Sequence, residues 1–335
     1  MREPRRVVVT GAGGFIGHHL VRRLKQSGKW VRGVDLHLPE YGPSEADEFR
    51  LLDLRRPADA MEAMSGVDDA YALAADMGGI GFISRDEATI LHNNTLIDIH
   101  SIEAARASGV RRYLYTSSAC VYPTFLQELA HATPLRESDA MPADPNGSYG
   151  WAKLLGERAC HHYAEQHGLD VRVPRLHNIY GPLGTYEGGR EKAPAAICRK
   201  VASAPPDGEI EVWGDGRQTR SFCYVDDCVE ALERLMESGH REPLNIGSEQ
   251  LVTINELVEL VAAVAGRDDL RVRHVPGPEG VRGRNSDNAL VREVLGWEPS
   301  TSLEAGLAAT YSWIEQQVRA RGAGPADAPT GVAAR

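Results

Sequence analysis

The 335-residue sequence has few cysteines, and they form no recognisable pattern. The five cysteines stand at scattered positions without a Cys-x-x-Cys pair, and the histidines lack the spacing of a zinc site; His161-His162 is a lone doublet. An odd, scattered set argues against a disulfide framework and favours a reducing compartment. The sequence therefore predicts a cytoplasmic protein without a bound metal.

Long apolar runs and an excess of positive charge are also missing. No run approaches the roughly 18 apolar residues that a membrane span requires, and Val7-Val8-Val9 is too short for the core of a signal peptide. With 37 Lys and Arg against 47 Asp and Glu, the net charge is -10. Because a surface of this sign repels phosphate backbones, we expect no nucleic-acid partner. From the lack of a long apolar run we expect no membrane partner. Any phosphate must be bound in a local pocket.

The first half of the chain alternates short apolar runs with longer amphipathic stretches. The runs predict strands at 7–9, 30–34, 50–53, 70–74, 113–117 and 170–173, and the amphipathic stretches predict helices at 14–26, 88–108 and 149–166. Alternation of this kind, with continuous β-branched runs, is typical of a parallel sheet covered on both faces. The predicted fold class is α/β, with a Rossmann-like doubly wound parallel sheet.

A glycine-rich turn joins the first predicted strand to the first helix, with the sequence TGAGGFIG at 10–17. Glycines permit a tight turn and close approach of backbone N–H groups to a pyrophosphate, and the helix N-terminus supplies positive potential. Asp35, at the end of the second strand, is placed to accept from ribose hydroxyls and repels a 2′-phosphate, which favours NAD over NADP. Asp53 either reaches the adenine or caps a turn. The candidate cofactor residues here are Gly11, Gly14, Phe15, Ile16, Gly17, Asp35 and Asp53.

The organisation changes after Arg175, where Gly- and Pro-rich stretches interrupt shorter elements. Such stretches are typical of a lobe built from loops and insertions. We predict an NAD-binding Rossmann domain over 1–175, to which a later segment at about 222–246 returns. A smaller C-terminal substrate lobe is predicted over 176–320, followed by a disordered tail over 321–335.

Tyr149 and Lys153 stand four residues apart in a predicted helix. In a helix they share a face, and a nearby ammonium lowers the pKa of a phenol, which makes Tyr149 a candidate base. Taken alone, this spacing is common on protein surfaces. Together with the glycine turn and Thr116-Ser117-Ser118, it resembles the extended short-chain dehydrogenase/reductase superfamily, whose enzymes mostly act on nucleotide sugars.

Longer strings resemble one family within that superfamily, the GDP-mannose 3,5-epimerases. The strings are AADMGGIGFI (74–83), SSACVYP (117–123), HNIYGP (177–182), GGREKAP (188–194), GRQTRSF (216–222) and GPEGVRGRNSDN (277–288). The resemblance runs from about residue 7 to residue 316. It implies an isomerase that uses tightly bound NAD, acts on GDP-mannose and assembles as a homodimer.

The resemblance also implies roles for individual residues. Tyr149 takes the proton of the sugar C4 hydroxyl during oxidation at C4, Ser118 hydrogen-bonds the reacting oxygen, and Lys153 lowers the Tyr149 pKa and holds the nicotinamide ribose. A C4 ketone acidifies the hydrogens on C3 and C5, and Cys120 and Lys192 then serve as the acid and base of the inversion. Judged from the residues alone, Cys120 is typical of a small buried hydrophobe and Lys192 of a solvated charge.

The substrate contacts are likewise implied by the resemblance. Lys200, Arg220 and Arg284 match positions for the diphosphate and its neighbouring groups, and arginine suits bidentate phosphate contact. The full set of candidate substrate residues is Gly78, Ser118, Ala119, Cys120, Asn178, Glu191, Lys192, Ala193, Lys200, Gln218, Arg220 and Arg284.

Two alternatives remain open at this point. A nucleotide-sugar 4-epimerase or 4,6-dehydratase would share the glycine turn, Tyr149 and Lys153, although 4-epimerisation does not require Cys120 and Lys192. A dehydratase typically carries an Asp-Glu pair where this chain has Ala119-Cys120. A catalytically silent NAD-sensing or scaffold protein is the other alternative, and the intact Ser118, Tyr149 and Lys153 argue against it. Inversion at C5 alone gives L-gulose, and inversion at C3 and C5 gives L-galactose.

Overall fold

The computed structural model describes residues 4–84 and 86–322. The strands are β1 (Arg6–Thr10), β2 (Trp30–Asp35), β3 (Glu48–Leu51), β4 (Asp69–Ala72), β5 (Arg112–Tyr115), β6 (Ser117–Ser118), β7 (Asp170–Leu176), β8 (Ile179–Tyr180), β9 (Glu209–Trp213), β10 (Thr219–Ser221), β11 (Cys223–Tyr224), β12 (Pro243–Ile246), β13 (Leu251–Thr253), β14 (Arg271–Val275) and β15 (Gly283–Arg284). The helices are α1 (Phe15–Gln26), α2 (Pro57–Met64), α3 (Ile80–Ile83), α4 (Glu87–Ala107), α5 (Gly147–His167), α6 (Ala193–Ser203), α7 (Val225–Glu237), α8 (Ile254–Val264), α9 (Ala289–Leu295) and α10 (Leu303–Gly322).

The main sheet is parallel, with the strand order β12-β7-β5-β4-β1-β2-β3, and β6 pairs with the end of β7. The interior strand β1 lies between β4 and β2, with Val9 opposite Tyr71 on one side and Gly33 on the other. Val7, Val8 and Val9 are completely buried, as expected of a sheet covered on both faces. The predicted α/β class with a doubly wound parallel sheet is therefore confirmed.

The alternation of side chains along β1 divides the core into two layers. Val7 and Val9 pack with Leu20 of α1 and Leu232 of α7 on one face of the sheet. Val8 points to the other face and packs in the cluster that contains α2, α4 and α5 residues. Successive residues of a strand point to opposite faces, so one apolar run supplies both layers.

A third apolar cluster belongs to the elements beyond β7. It joins α6, α8 and α10 through side chains such as Cys198, Leu257 and Leu307. The chain nevertheless returns to the main sheet within this region, because β12 pairs with β7 and α7 packs against α1. No helix within 4–84 and 86–322 combines the length and the apolar character needed to cross a membrane.

Several boundaries differ from the sequence prediction: β4 ends at Ala72 and not at residue 74, β5 ends at Tyr115 and not at residue 117, and β7 continues to Leu176 beyond residue 173. The third strand covers Glu48–Leu51 and not 50–53, because Asp53 starts the turn into α2, where its carboxylate accepts from the Arg55 N–H at 3.1 Å. Of the predicted tail, Arg321 and Gly322 end α10, and residues 323–335 lie outside the described residues.

Candidate active site

A cavity of about 890 Å³ opens at the carboxyl ends of the parallel strands, where ligands bind in open α/β sheets. Residues that follow β1, β2 and β4 line it, together with the start of α5 and the loop before α6. Every candidate cofactor residue lies in this lining, namely Gly11, Gly14, Phe15, Ile16, Gly17, Asp35, Asp53, Tyr149 and Lys153. Residues far apart in the chain are thus brought to one site.

The glycine turn is shaped by close backbone approach. Gly11 has a positive φ of 72°, and a Cβ on Gly17 would overlap the carbonyl oxygen of Gly11. A Cβ on Gly13 would overlap the carbonyl oxygen of His37. Gly14 is the N-cap of α1 and provides no side-chain cap, so first-turn N–H groups remain for an anionic group. This cradle fits the pyrophosphate of a dinucleotide.

Asp35 is held at the rim of the cavity by the turn itself. Its Oδ2 accepts from the Gly13 N–H at 2.9 Å, and its Oδ1 accepts from the Leu36 N–H at 2.6 Å. Arg32, the nearby arginine of β2, is buried and donates to Glu48 Oε2 at 2.9 Å. The rim is therefore acidic at Asp35, and Arg32 adds no positive charge to it. Such a rim fits NAD better than NADP, whose 2′-phosphate is negatively charged. Gly13 is a contact that the sequence analysis missed although it lies inside the motif.

Asp53 caps a turn, which is one of the two roles that the sequence left open, and it also lines the cavity. Its carboxylate forms a paired contact with the Arg55 guanidinium, with Nε and Nη2 both at 2.8 Å, and the same two residues line the cavity. The Arg55 hydrogen bonds hold the pKa of Asp53 below its usual range. Asp53 therefore caps a turn and remains beside the site.

Tyr149 and Lys153 lie on the first two turns of α5 and are both buried. Burial raises the pKa of Tyr149 well above its usual value, the charges of Cys120 and Asp98 add to this effect, and a hydrogen bond with Ser118 opposes it. The Lys153 ammonium lies 3.5 Å from Asp98 Oδ1 and 5.9 Å from the centre of the Tyr149 ring. The prediction of a net lowering of the Tyr149 pKa is thus wrong for this arrangement, because burial dominates and the nearby ammonium is paired with Asp98.

Cys120 lies in a short 3-10 turn (Ala119–Val121) directly after β6, and its N–H donates to Ser118 Oγ at 3.2 Å. Its Sγ accepts from Arg284 Nη1 at 3.5 Å. Burial by itself favours the neutral thiol, but Arg284, Ser118 and Lys192 outweigh it, and the pKa of Cys120 lies below its ordinary value. The thiol is therefore an ionisable group and not merely a small buried hydrophobe.

Lys192 is the N-cap residue of α6 and lines the cavity. Burial lowers its pKa, and the charges of Cys120 and Cys228 oppose this effect only in part. The pKa values of Cys120 and Lys192 therefore both move from their ordinary values towards neutrality. An amine and a thiol in this state can exchange protons with a substrate.

Arg220 and Arg284 bring positive charge next to Cys120. Arg220 donates to the carbonyl oxygens of Thr219 at 2.7 Å and Val281 at 2.6 Å, while burial and the neighbouring Arg284 lower its pKa to about 9. Arg284 is buried, donates to Gln127 Oε1 at 2.6 Å, and has no partner for Nη2 among the described residues. All these acceptors are neutral groups or the thiol, so the pair is suited to an anion.

The other candidate substrate residues fall into two groups. Gly78, Ser118, Asn178 and Lys192 line the cavity, and Asn178 adopts a positive φ of 45° while its amide donates to the Ser221 carbonyl at 2.8 Å. Lys200 donates to the Glu211 carbonyl at 2.6 Å, and Gln218 donates to the Trp213 carbonyl at 3.1 Å. The described cavity lining does not include Ala119, Cys120, Glu191, Ala193, Lys200, Gln218, Arg220 or Arg284.

The sequence analysis missed a contact between two loops at the site. The Arg190 guanidinium lies 3.7 Å from the centre of the Phe82 ring and 3.5 Å from Asp76 Oδ1, and the Gly79 N–H donates to the Arg190 carbonyl at 2.9 Å. These contacts connect segment 76–83 to the loop that carries Lys192. Both partners lie inside strings quoted above, but only the fold shows that they meet.

Asp98 was also missed. It lies on the buried face of α4 with Asn94 and Ser101, and polar residues at this helical spacing are the signal that could have identified it.

The doublet His161-His162 gains a third potential metal ligand in Glu165, with ligand atoms within 4.8 Å of one another on the outer surface of α5. This group is not part of the described cavity lining.

Comparison with known proteins places the chain in a family. The sequence model of the NAD dependent epimerase/dehydratase family matches residues 7–247 of this chain. GDP-mannose 3,5-epimerase 1 of Oryza sativa subsp. japonica and GDP-mannose 3,5-epimerase of Arabidopsis thaliana are each 49% identical over 318 residues, which cover 94% of this chain and 83% and 84% of those proteins. The crystal structure of a UDP-glucose 4-epimerase from Thermotoga maritima superposes with a TM-score of 0.83 at 28% identity, covering 93% of this chain and 99% of that one.

The parallel sheet, the glycine cradle and the Tyr149–Lys153 pair define a dinucleotide-dependent enzyme of the short-chain dehydrogenase/reductase type. Matches over most of the chain then specify the group within that class. The chain belongs to the NAD dependent epimerase/dehydratase family.

Proposed function

We propose that the protein is a GDP-mannose 3,5-epimerase that converts GDP-D-mannose to GDP-L-galactose, GDP-L-gulose or both. Relatives with this activity in their names are 49% identical over 94% of the chain. The observation that carries the proposal is that Cys120 packs with Tyr149, that Lys192 lines the same cavity as Tyr149, and that Cys120 and Lys192 shift each other's pKa. A 4-epimerase has no need of this thiol–amine pair.

The cofactor is held by residues described above. The glycine cradle and the first turn of α1 bind the pyrophosphate, and Asp35 accepts from the ribose hydroxyls. When bound, NAD supplies an acceptor for the hydride of sugar C4 and returns that hydride at the end of the cycle. The redox steps cancel, so the overall reaction is an isomerisation.

Tyr149 accepts the proton of the C4 hydroxyl during oxidation and donates it back during reduction. It is required as a phenolate in the first step and as a phenol in the last, and Ser118, which hydrogen-bonds it, also bonds the reacting oxygen. Lys153, one helical turn away, stabilises the phenolate against the effect of burial and holds the nicotinamide ribose.

Cys120 and Lys192 act on the sugar after a ketone has formed at C4. One group removes the hydrogen of C5 or C3 and the other delivers a proton from the opposite side of the ring. Arg284 favours the Cys120 thiolate, and burial favours the neutral amine of Lys192. Both groups therefore change protonation state more readily than an isolated thiol or amine.

The nucleotide end of the substrate carries the diphosphate. Arg220 and Arg284 are proposed to bind this diphosphate, because their positive charge is not balanced by a carboxylate among the contacts described above. Lys200 is proposed as a further cation at this end of the substrate. Gly78, Ala119, Asn178, Glu191, Ala193 and Gln218 are proposed to contact the sugar or to shape its site.

The test is incubation of purified protein with GDP-mannose in D2O without added cofactor. We expect many turnovers, deuterium at C5 and at C3 whenever that centre inverts, and no steady increase in NADH absorbance. Cys120→Ser and Lys192→Met should lose most of the deuterium exchange and still oxidise C4, because serine is too weak an acid and methionine carries no proton. Wild-type exchange in either variant, or accumulation of NADH, would contradict the proposal.

Assembly, location and domain division complete the proposal. A homodimer through α4 and α5 is supported by Leu91, Trp151 and Leu155, which are 40–48% exposed on these two helices. Cytoplasmic location is supported by the free state of the five cysteines, and the absence of a nucleic-acid or membrane partner by the net charge of -10. The division into an NAD-binding domain over 1–175, with 222–246 returning to it, and a substrate lobe over 176–320 is supported by the separate third apolar cluster.

A further inference from the structure

A buried carboxylate contacts the lysine of the Tyr149–Lys153 pair. Asp98 is 6% exposed, and its Oδ1 lies 3.5 Å from Lys153 Nζ, whose residue is 2% exposed. The Tyr115 hydroxyl donates to Asp98 Oδ2 at 2.6 Å. The carboxylate thus joins α4 to the first turns of α5 and to the end of β5.

The surrounding chain is shaped to admit this contact. A Cβ on Gly156 would overlap the Tyr115 hydroxyl, so a glycine at this position of α5 allows Tyr115 to reach Asp98. The Lys153 ammonium also lies 4.7 Å from the centre of the Tyr115 ring. Burying a carboxylate is costly unless it is paired, and a neutral residue would fill this place in a helix without that cost. The arrangement therefore serves something other than packing.

The ionisable groups around Asp98 come from three elements. Lys153, Cys160 and Tyr149 lie on α5, Tyr113 and Tyr115 lie on β5, and Cys120 faces Tyr149 from the turn after β6. Burial raises the pKa of Asp98, while Lys153 and Tyr115 oppose this effect. Asp98 in turn contributes to the raised pKa of Tyr149. A substitution at Asp98 is therefore expected to affect both Tyr149 and Lys153.

We propose that Asp98 is a positioning residue for the reaction: its carboxylate fixes the place of the Lys153 ammonium and sets a negative charge close to the Tyr149 phenol. The inference rests on the proposed function, in which Tyr149 and Lys153 serve the oxidation at C4. Asp98 acts through these two residues and contacts neither substrate nor cofactor in this role. Its charge opposes ionisation of Tyr149, and its contact keeps Lys153 from moving freely.

The first experiment compares kcat against pH for the wild type and the neutral variants Asp98→Asn and Asp98→Ser. Removal of the negative charge makes the Tyr149 phenol easier to ionise, so the acid limb of the profile should move to lower pH by about half a unit to one unit. The plateau of kcat should fall severalfold because Lys153 is no longer held, while KM stays within about twofold. Asp98→Glu keeps the charge and should return the limb towards the wild-type position.

A second measurement does not depend on the substrate. The chain has only five lysines, Lys25, Lys29, Lys153, Lys192 and Lys200, so ε-13C-lysine labelling gives five signals that single Lys→Arg changes assign. Asp98→Asn and Asp98→Ser should each shift the Lys153 signal and leave the signals of Lys25 and Lys29 in place. Asp98→Glu should give a Lys153 signal close to that of the wild type.

Asp69→Asn is the matched control, because Asp69 is also buried and pairs with Arg112 at 2.6 Å, but at the start of β4 and away from the carboxyl ends of the strands. It should leave the acid limb unchanged. The proposal is overturned if Asp98→Asn and Asp98→Ser both leave the acid limb of the kcat profile unchanged, or if both leave the Lys153 signal unchanged. If the wild type does not convert GDP-mannose, the proposed function fails, whereas the lysine signal still decides whether Asp98 holds Lys153.

Discussion

The contact between Arg284 and Cys120 offers a quantitative test of how the site ionises a thiol. Arg284 Nη1 donates to Cys120 Sγ at 3.5 Å, and both residues are buried. Arg284→Met removes the charge and the hydrogen bond and keeps an apolar side chain of similar length. Because the cation stabilises the thiolate, its removal should raise the pKa of Cys120.

The magnitude follows from the geometry. A hydrogen bond to a charged group contributes about 1.5–3 kcal/mol, and about 1.4 kcal/mol corresponds to one pKa unit. The rise should thus be about one to two units. A bare Coulomb energy at this distance and an effective dielectric constant of 20 is about 5 kcal/mol, which is an upper bound because Ser118 and Lys192 remain. At pH values below the wild-type midpoint the thiolate fraction should therefore fall about 10- to 100-fold.

Alkylation by iodoacetamide as a function of pH measures the thiolate directly, since the thiolate is the reacting species. The other four cysteines are buried, and burial raises the pKa of each of them, so they should not react near neutral pH. A Cys120→Ser protein gives the background to subtract. Arg284→Lys retains a positive charge and should produce a smaller shift than Arg284→Met.

An alkylation midpoint for Arg284→Met that equals that of the wild type, in a protein with an unchanged melting temperature, would refute this reasoning. The thiolate would then be stabilised by Lys192 or Ser118 instead. A midpoint that moves to lower pH would be equally contrary, because it would mean that Arg284 favours the neutral thiol.

Three further changes test separate parts of the structure. Tyr149→Phe removes the phenol and keeps the ring, so turnover of GDP-mannose should fall by a factor on the order of 10² or more at an unchanged melting temperature, and near-normal turnover would exclude Tyr149 as the base. Gly17→Ala places a Cβ against the Gly11 carbonyl oxygen, so the purified protein should retain much less NAD by absorbance and by enzymatic cofactor assay; full retention would argue against the cradle. Glu157→Ala leaves the buried Arg175, now 2.7 Å from its carboxylate partner, without a counter-charge. The free energy of unfolding in urea should fall by about 3–5 kcal/mol, and a loss below about 1 kcal/mol would show that water or other groups replace the pair.

Local patterns were sufficient for much of the fold. The apolar run at 7–9, the amphipathic stretch that became α1 and the glycine turn between them are determined by neighbouring residues, because a strand, a turn and a helix depend on short-range sterics and periodicity. The same is true of Tyr149 and Lys153, which are one helical turn apart wherever the helix lies. The quoted strings also sufficed to indicate the epimerase family.

Short-range patterns were less reliable at element ends. The third strand was displaced by two residues, because Leu51 and Leu52 form a short apolar run in the sequence, whereas Asp53 forms a turn with Arg55 and Asp59. The direction of the Tyr149 pKa was also wrong. Spacing along the helix placed the Lys153 ammonium near the phenol. It could not show that Asp98, which lies on another helix, pairs with that ammonium.

The amino-acid sequence alone was therefore enough for the class of fold and the cofactor turn, and it supplied the candidates for the reacting side chains. The folded chain was needed to show that Arg284 contacts Cys120 across 164 positions, that Arg190 joins two loops at the site, and that Asp98 lies against Lys153. The physical reason is that protonation depends on burial and on charges brought together by the folded chain. Neither quantity is a property of neighbouring residues, so neither is contained in a local pattern.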